Sequence, residues 1–188
     1  DWNGKVLWEY KNEDLHHDFE ILPNGNIAAT IRNPMPAEES IKVKGGSANT
    51  EDNGVMLSDS IIEINREREI VWKWDLYKQL ELEVEKLGPL NSRSELGHTN
   101  SIRYIKSDPL TGKEAYLMSI PQLNVILLVS RDSGEIIWRS PKNIMTFQHD
   151  ATLLPNGNIL VFNNNALRKP IDDLGSQVIE IDPKANKI

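Results

Sequence analysis

HDFEILPNGNIAAT at residues 17–30 returns as HDATLLPNGNILVF at residues 149–162, matching His, Asp, Leu, Pro, Asn, Gly, Asn and Ile without a gap. Of the four histidines in 188 residues, three stand at the mouth of this motif: His16, His17 and His149. A unit that recurs in this way makes the chain an array of similar structural pieces. The rest of the unit recurs too. SDSIIEIN (58–65) pairs with GSQVIEID (175–182), and GKVLWEY (4–10), REIVWKW (68–74) and GEIIWRS (134–140) form a third set with Trp8, Trp72 and Trp138 in register.

Val, Ile, Leu, Thr and Trp dominate these segments, so each reads as a short strand, with PNG and DSG supplying tight turns. A tryptophan strand precedes each histidine segment. A strand ending near Thr30, Ser119 or Phe162 follows, and then an IEI-type strand. This is the cycle of an all-β fold, a β-propeller of four-stranded antiparallel blades, and the chain covers about three of them. One partial propeller domain is expected over 1–188, with the missing blades supplied by the rest of a longer chain or by another subunit. Two stretches interrupt the rhythm. Residues 33–57, rich in Pro, Gly, Asn and charge, are expected to form a long surface loop. Residues 75–92 hold Leu76, Leu80, Leu87 and a Gly-Pro stop, which predicts a short helical insertion between blades, about three turns at most.

A formal net charge of -7 argues against a nucleic-acid partner, which requires a basic stripe to displace counterions from phosphates. No apolar run reaches membrane-spanning length, and no signal peptide is recognisable, so the chain is expected to be soluble, without a membrane partner, and already processed or excised. The chain contains no cysteine, which removes disulfides and thiolate metal sites while leaving the compartment undetermined.

Equivalent positions of successive blades converge at one mouth of a propeller channel, so His17, His98 and His149 are expected to face one another. In GHTNSIRYI, Asn100 lies two residues beyond His98, and both side chains project to one side of an extended strand. Neutral imidazole can serve as nucleophile, proton shuttle or ligand for a borderline metal. No GxSxG, HExxH or P-loop pattern is present.

HHDFEILPNGN, SDSIIEINREREIVWKW, HTNSI, GEIIWRS and QHDATLLPNGNILVF together resemble the bacterial arylsulfate sulfotransferase family, whose members are six-bladed propellers. The resemblance covers nearly the whole chain, and the ordered set HHD, HxNS and QHD is its most specific part. It implies transfer of a sulfuryl group from a small-molecule aryl sulfate to a phenol by a ping-pong route, without a cofactor. His149 would be the nucleophile that forms a sulfohistidine. His17, or its neighbour His16, would act as acid or base at the phenolic oxygen, and His98 and Asn100 would hold the sulfuryl oxygens. Such enzymes are commonly exported, so a periplasmic or secreted location is implied.

One departure stands out. Where the family carries an arginine after HxNS, this chain has Pro121 in YLMSIPQLN, which offers no charge. Aligning IAATIR, YLMSIP and ILVFNN places Arg32 on the equivalent position of the preceding blade and Asn164 on that of the following one, so both become candidate substrate-binding residues. Arg131, in the SRDSG turn between outer strands, is a poorer substitute. Two alternatives stand beside sulfuryl transfer: a noncatalytic propeller that binds a ligand or protein, and a copper or zinc enzyme with His17, His98 and His149 as ligands.

Overall fold

The computed structural model describes residues 1–51, 53–82, 86–166 and 175–188. Two four-stranded antiparallel meanders and one three-stranded sheet, of the kind found in propeller blades, hold most of the described strands. The first sheet runs in the order β1 (Leu15–Ile21), β2 (Ile27–Pro34), β4 (Leu57–Ile64), β5 (Ile70–Asp75). The second joins β7 (Ser101–Ile105), β8 (Ala115–Ile120), β9 (Val125–Ser130) and β10 (Ile136–Arg139). The third holds β11 (His149–Leu153), β12 (Ile159–Asn163) and β13 (Gln177–Ile181).

The repeated PNGN builds the same turn twice. Leu22 N–H donates to Asn26 O and Leu154 N–H to Asn158 O, each at 2.8 Å, while Asn24 and Asn156 accept from the amides two residues on at 3.0 Å. Gly25 and Gly157 take φ of 83° and 89°, a region closed to most side chains. Local chemistry alone therefore fixes the hairpins that carry the histidine segments.

Period-2 alternation then sorts the apolar residues onto two faces. From β8, Tyr116, Met118 and Ile120 join Ala28, Ile61 and Trp74 of the first sheet in one core. Ala115 and Leu117 turn the other way, into a second core with Ala151, Ile159, Val161 and Ile179 of the third sheet. The middle sheet is thus covered on both faces, and β8 and β9 are buried along their whole length. Trp72 and Trp138 pack in these cores on the outermost strands, as the aligned tryptophans require.

Three expectations need correction. Residues 4–10 form no strand: Trp8 and Tyr10 lie over Ala29, Ile31, Ile62 and Ile64 on the outer face of the first sheet, and the indole N–H donates to Arg66 O at 3.0 Å. The segment has side-chain contacts with that sheet and no ladder partner among the described residues.

The helix expected over 75–92 is a single 3-10 turn at Leu76–Gln79 followed by β6 (Lys86–Ser92), with residues 83–85 outside the described residues. Leu76, Leu82 and Leu87 are each buried in the first core, and the Gly-Pro pair lies inside β6 instead of ending a helix. Leucines spaced for a helix serve equally well as separate anchors of a chain that runs along a core surface.

Residues 33–57 are more than a surface loop. They include one helical turn, α1 (Ala37–Ser40), and β3 (Lys44–Ser47), and they bury Met35, Val43 and Met56 in the same core. β3 pairs in parallel with β6, so the two interruptions of the repeat meet each other. Arg93 clasps this junction, donating from Nη1 to Val43 O at 2.9 Å and to Gly45 O at 2.7 Å. A Cβ at Gly45, where φ is 77°, would collide with Leu87 O, so this close crossing requires glycine. Among the described residues, no helix is long and apolar enough to cross a membrane.

Candidate active site

The first strands of the three sheets lie side by side, with β7 in contact with both β1 and β11. Each outer member has a register shift in the part of the repeat that carries the histidine, between Leu15 and Phe19 in β1 and between His149 and Thr152 in β11. Such a shift breaks strict alternation and re-aims side chains. The strands differ in where the backbone turns over: φ is positive at His17 (57°) and at Asp150 (56°), with His98 at 61° and Phe147 at 53° beside them. Non-glycine residues in this region are held there by their surroundings, and such strain gathers at functional sites.

The result is a row of rings. His16 and His17 approach through their Nδ1 atoms at 2.7 Å. His17 meets His98 edge to face with ring centroids 4.5 Å apart. Phe147 comes next, 6.4 Å from His98 and 5.9 Å from His149. The motif histidines are therefore brought together, with Phe147 as a spacer that the sequence did not reveal. His149 Nδ1 lies 3.2 Å from Phe147 O and 3.0 Å from Asn164 Nδ2, and Asn164 also donates to Phe147 O at 2.7 Å. With its proton on Nδ1, directed at this carbonyl, the ring leaves Nε2 with a free lone pair; with Nδ1 accepting from the Asn164 amide, the proton sits on Nε2 instead.

Asn100 donates to Gln148 O at 2.8 Å, while its own Oδ1 is buried without a hydrogen-bond partner among the described residues. It thereby ties the HTN segment to the residue before His149. Arg32 approaches the site from β2, with Nη1 3.7 Å from Glu95 Oε2. Pro121 is buried at the start of a 3-10 turn, and the next amide, Gln122 N–H, donates to Gly97 O at 3.1 Å. The proline position therefore braces the chain just before His98. Arg131 stands apart, paired with Glu63 and Glu114.

Acidic partners beneath the rings set their protonation. Glu95 is hydrogen-bonded to His98 Nδ1, and this bond raises the His98 pKa above its ordinary value. Burial pushes the Glu95 carboxyl upward, but His98 and Arg32 outweigh it and hold the group below the usual carboxylate range. Asp59 is fully buried, and desolvation lifts it to about 6 despite the Thr99 hydrogen bonds. His16 faces it, with Nε2 3.5 Å from Asp59 Oδ1; burial and then the neighbouring His17 lower its pKa to about 4. His17 is also lowered, by burial first and then by the charge of His98.

Glu95, Asp59 and Arg103 escaped the sequence reading. Arg103, on β7, pairs with Asp18 and with Asp150, the aspartates that follow the histidine of each repeat, so the middle sheet locks the two copies of the motif together. The signal for Glu95 was its place three residues before His98; for Asp59 it was a carboxylate between two serines at the start of a strand whose following residues are largely apolar. Beside the row lies a cleft of about 460 Å³ lined by Trp8, Tyr10, Phe19, His16 and His17 among others. Among the described residues, no group of three or more His, Asp or Glu side chains is arranged to hold a metal ion, so His17, His98 and His149 do not make the ligand set of the copper or zinc alternative.

No curated protein matches the chain. Among solved structures, a protein of unknown function from Bacteroides caccae is 16% identical over 97% of this chain and 69% of its own, with a TM-score of 0.41, a likeness too loose to carry an argument. The sequence model of the arylsulfotransferase (ASST) family matches residues 1–188, so all three histidine motifs and the sheets that hold them lie within the match. The chain belongs to the arylsulfotransferase family.

Proposed function

We propose that this arylsulfotransferase-like protein moves a sulfuryl group from an aryl sulfate to a phenol through a sulfohistidine at His149. The observation that carries this is the row from His17 to His149, in which one end has an imidazole able to present a bare Nε2 and the other an imidazole able to exchange a proton. In the first half-reaction, His149 Nε2 attacks sulfur, the S–O bond to the aryl oxygen breaks, and His17 gives that oxygen a proton. In the second, a phenol oxygen attacks sulfur, the S–N bond breaks, and the phenolic proton passes to His17. His98, whose protonated form the Glu95 hydrogen bond favours, and Arg32 offer positive charge to the sulfuryl oxygens in place of the arginine absent at Pro121. The aromatic cleft beside His17 suits an aryl ring. Export to the periplasm belongs to the same proposal, and cell fractionation tests it.

Treatment with phenyl sulfate is expected to add a sulfuryl group to His149, and the label should vanish when phenol follows. Intact-mass and peptide mass spectrometry read both steps. His149→Ala should abolish the label. Arg32→Ala should slow its formation by about a hundredfold, whereas Arg131→Ala should leave it intact. A label that persists in His149→Ala, or no label on folded protein with any donor, overturns the proposal.

A further inference from the structure

Beneath the row of rings, two buried polar atoms with no hydrogen-bond partner among the described residues face each other: His16 Nε2 and Asp59 Oδ1, 3.5 Å apart. The other Asp59 oxygen is occupied, since it accepts from Thr99 N–H. The other His16 nitrogen is occupied as well, 2.7 Å from His17 Nδ1. Buried polar groups in native proteins are almost always satisfied, and hydrogen bonds of a catalytic apparatus are often long before substrate arrives. We infer that Asp59, His16 and His17 form a proton relay, in which a proton accepted at His17 Nε2 is balanced by one coming to rest on the buried Asp59 carboxylate.

The hydrogen-bond chemistry allows two arrangements of this line. Two Nδ1 atoms in contact must be one donor and one acceptor, so the tautomers of His16 and His17 are coupled. In the charged arrangement, His17 Nδ1–H donates to His16 Nδ1, His16 Nε2–H donates to ionised Asp59, and His17 Nε2 is bare. When a phenolic O–H gives its proton to His17 Nε2, the Nδ1 proton of His17 moves to His16, and the Nε2 proton of His16 moves to Asp59. Every group is then neutral, and no imidazolium has formed. The reverse shift supplies the proton that a departing aryl oxygen needs.

The surroundings favour this route over protonating His17 outright. Arg32 from β2 and His98 from the segment before β7 both disfavour a cation at His16 and His17, and His149 does so at His17; Glu95 opposes them. Desolvation meanwhile raises the proton affinity of Asp59. Asp59 touches no substrate in this scheme. It is a positioning residue that acts through His16.

The inference rests on the sulfuryl-transfer proposal for its purpose, but its first test needs no activity. In protein with ¹⁵N-labelled histidine and ¹³C-labelled aspartate, NMR across the pH range should show the Asp59 carboxyl carbon and the ring nitrogens of His16 and His17 moving at one midpoint. The nitrogen shifts should be those of neutral tautomers exchanging the protonated atom, and the common step should vanish in Asp59→Asn. Titration of His16 or His17 to imidazolium at or above the midpoint of the Asp59 carboxyl overturns the relay.

The second test is kinetic. With a nitrophenyl sulfate as donor, whose departing oxygen needs no proton, Asp59→Asn and His16→Gln should slow sulfuryl transfer to weakly acidic phenols by about a hundredfold, while nitrophenols already ionised at the assay pH, which need no base, should react at nearly the parent rate. Equal loss with both acceptors also overturns the relay. A parent protein that never labels His149 removes sulfuryl transfer itself and leaves the NMR result to decide the relay.

Discussion

His98 stands edge-on to His17, with ring centroids 4.5 Å apart, and turns its Nδ1 to Glu95. The pair is an ionic contact with a defined pH window. His98 is raised above 6.5, so its stabilisation is complete below that value and is lost as pH climbs through the folded pKa. Glu95 is depressed below 4.5, so its share is complete above that value and is lost as pH falls through the lower folded pKa. The stability difference between the parent and Glu95→Gln should therefore be largest between 4.5 and 6.5 and shrink on either side. Melting curves of both proteins across pH measure it; a difference independent of pH would sink the assignment.

Arg103 carries two aspartates from different sheets, and its loss should leave them repelling each other. Arg103→Met is expected to destabilise the protein by about 1–2 kcal/mol, reduced from the value of a buried pair because solvent reaches all three groups. Replacing Asp18 and Asp150 with Asn in the same background should recover part of the loss. Urea titrations compare the three proteins.

Gly97 leaves room for the buried carboxylate below the site. A Cβ there would run into Asp59 Oδ2 and lie 2.7 Å from Leu76 Cδ2. Gly97→Ala should cost about 1–3 kcal/mol, as overpacking typically does. It should also shift the histidine signals in an NMR spectrum, which a purely remote destabilisation would leave in place.

Among the aligned tryptophans, Trp138 is the most buried at 8% exposure, and its indole donates to Asn186 Oδ1 at 3.2 Å. Trp138→Ala should lower stability by about 3–5 kcal/mol. Trp8, which lies over one sheet from outside, should cost well under half as much. Equal shifts in denaturation midpoint for the two variants would refute this ranking.

The parts of the fold legible in the sequence were those fixed by local chemistry. PNGN specifies a turn by its own side chains and by the glycine φ, so the hairpins of β1–β2 and β11–β12 could be read directly. Position in the repeat then placed His17, His98 and His149 near one another. Partnerships across sheets left fainter traces. Nothing in SIRYI says that Arg103 will join two aspartates, because those distances arise only when sheets stack, and nothing in SDSIIEI says that Asp59 will meet His16 across β2 of its own sheet. Arg32 and Asn164 were found through alignment of the blades, while Glu95, the group that Arg32 faces, was not. The leucines of 75–92 misled because helical spacing and separate anchoring of an extended chain leave the same pattern.

The pairing of β3 with β6 also bears on the order in which the molecule folds. The strands of the antiparallel sheets follow one another along the chain, apart from the step from β2 to β4 over β3, whereas this parallel contact joins residues 44–47 to residues 86–92 and encloses β4 and β5 between them. Closing so long a loop costs entropy that local hairpins avoid. The meanders should therefore acquire protection first and the small parallel sheet afterwards. Glu95 and His98 follow directly on β6, so the acid and imidazole at the centre of the site are held in place late. Pulsed hydrogen exchange during refolding should find the amides of β8 and β9 protected before those of residues 86–98, making completion of the site a final event in folding.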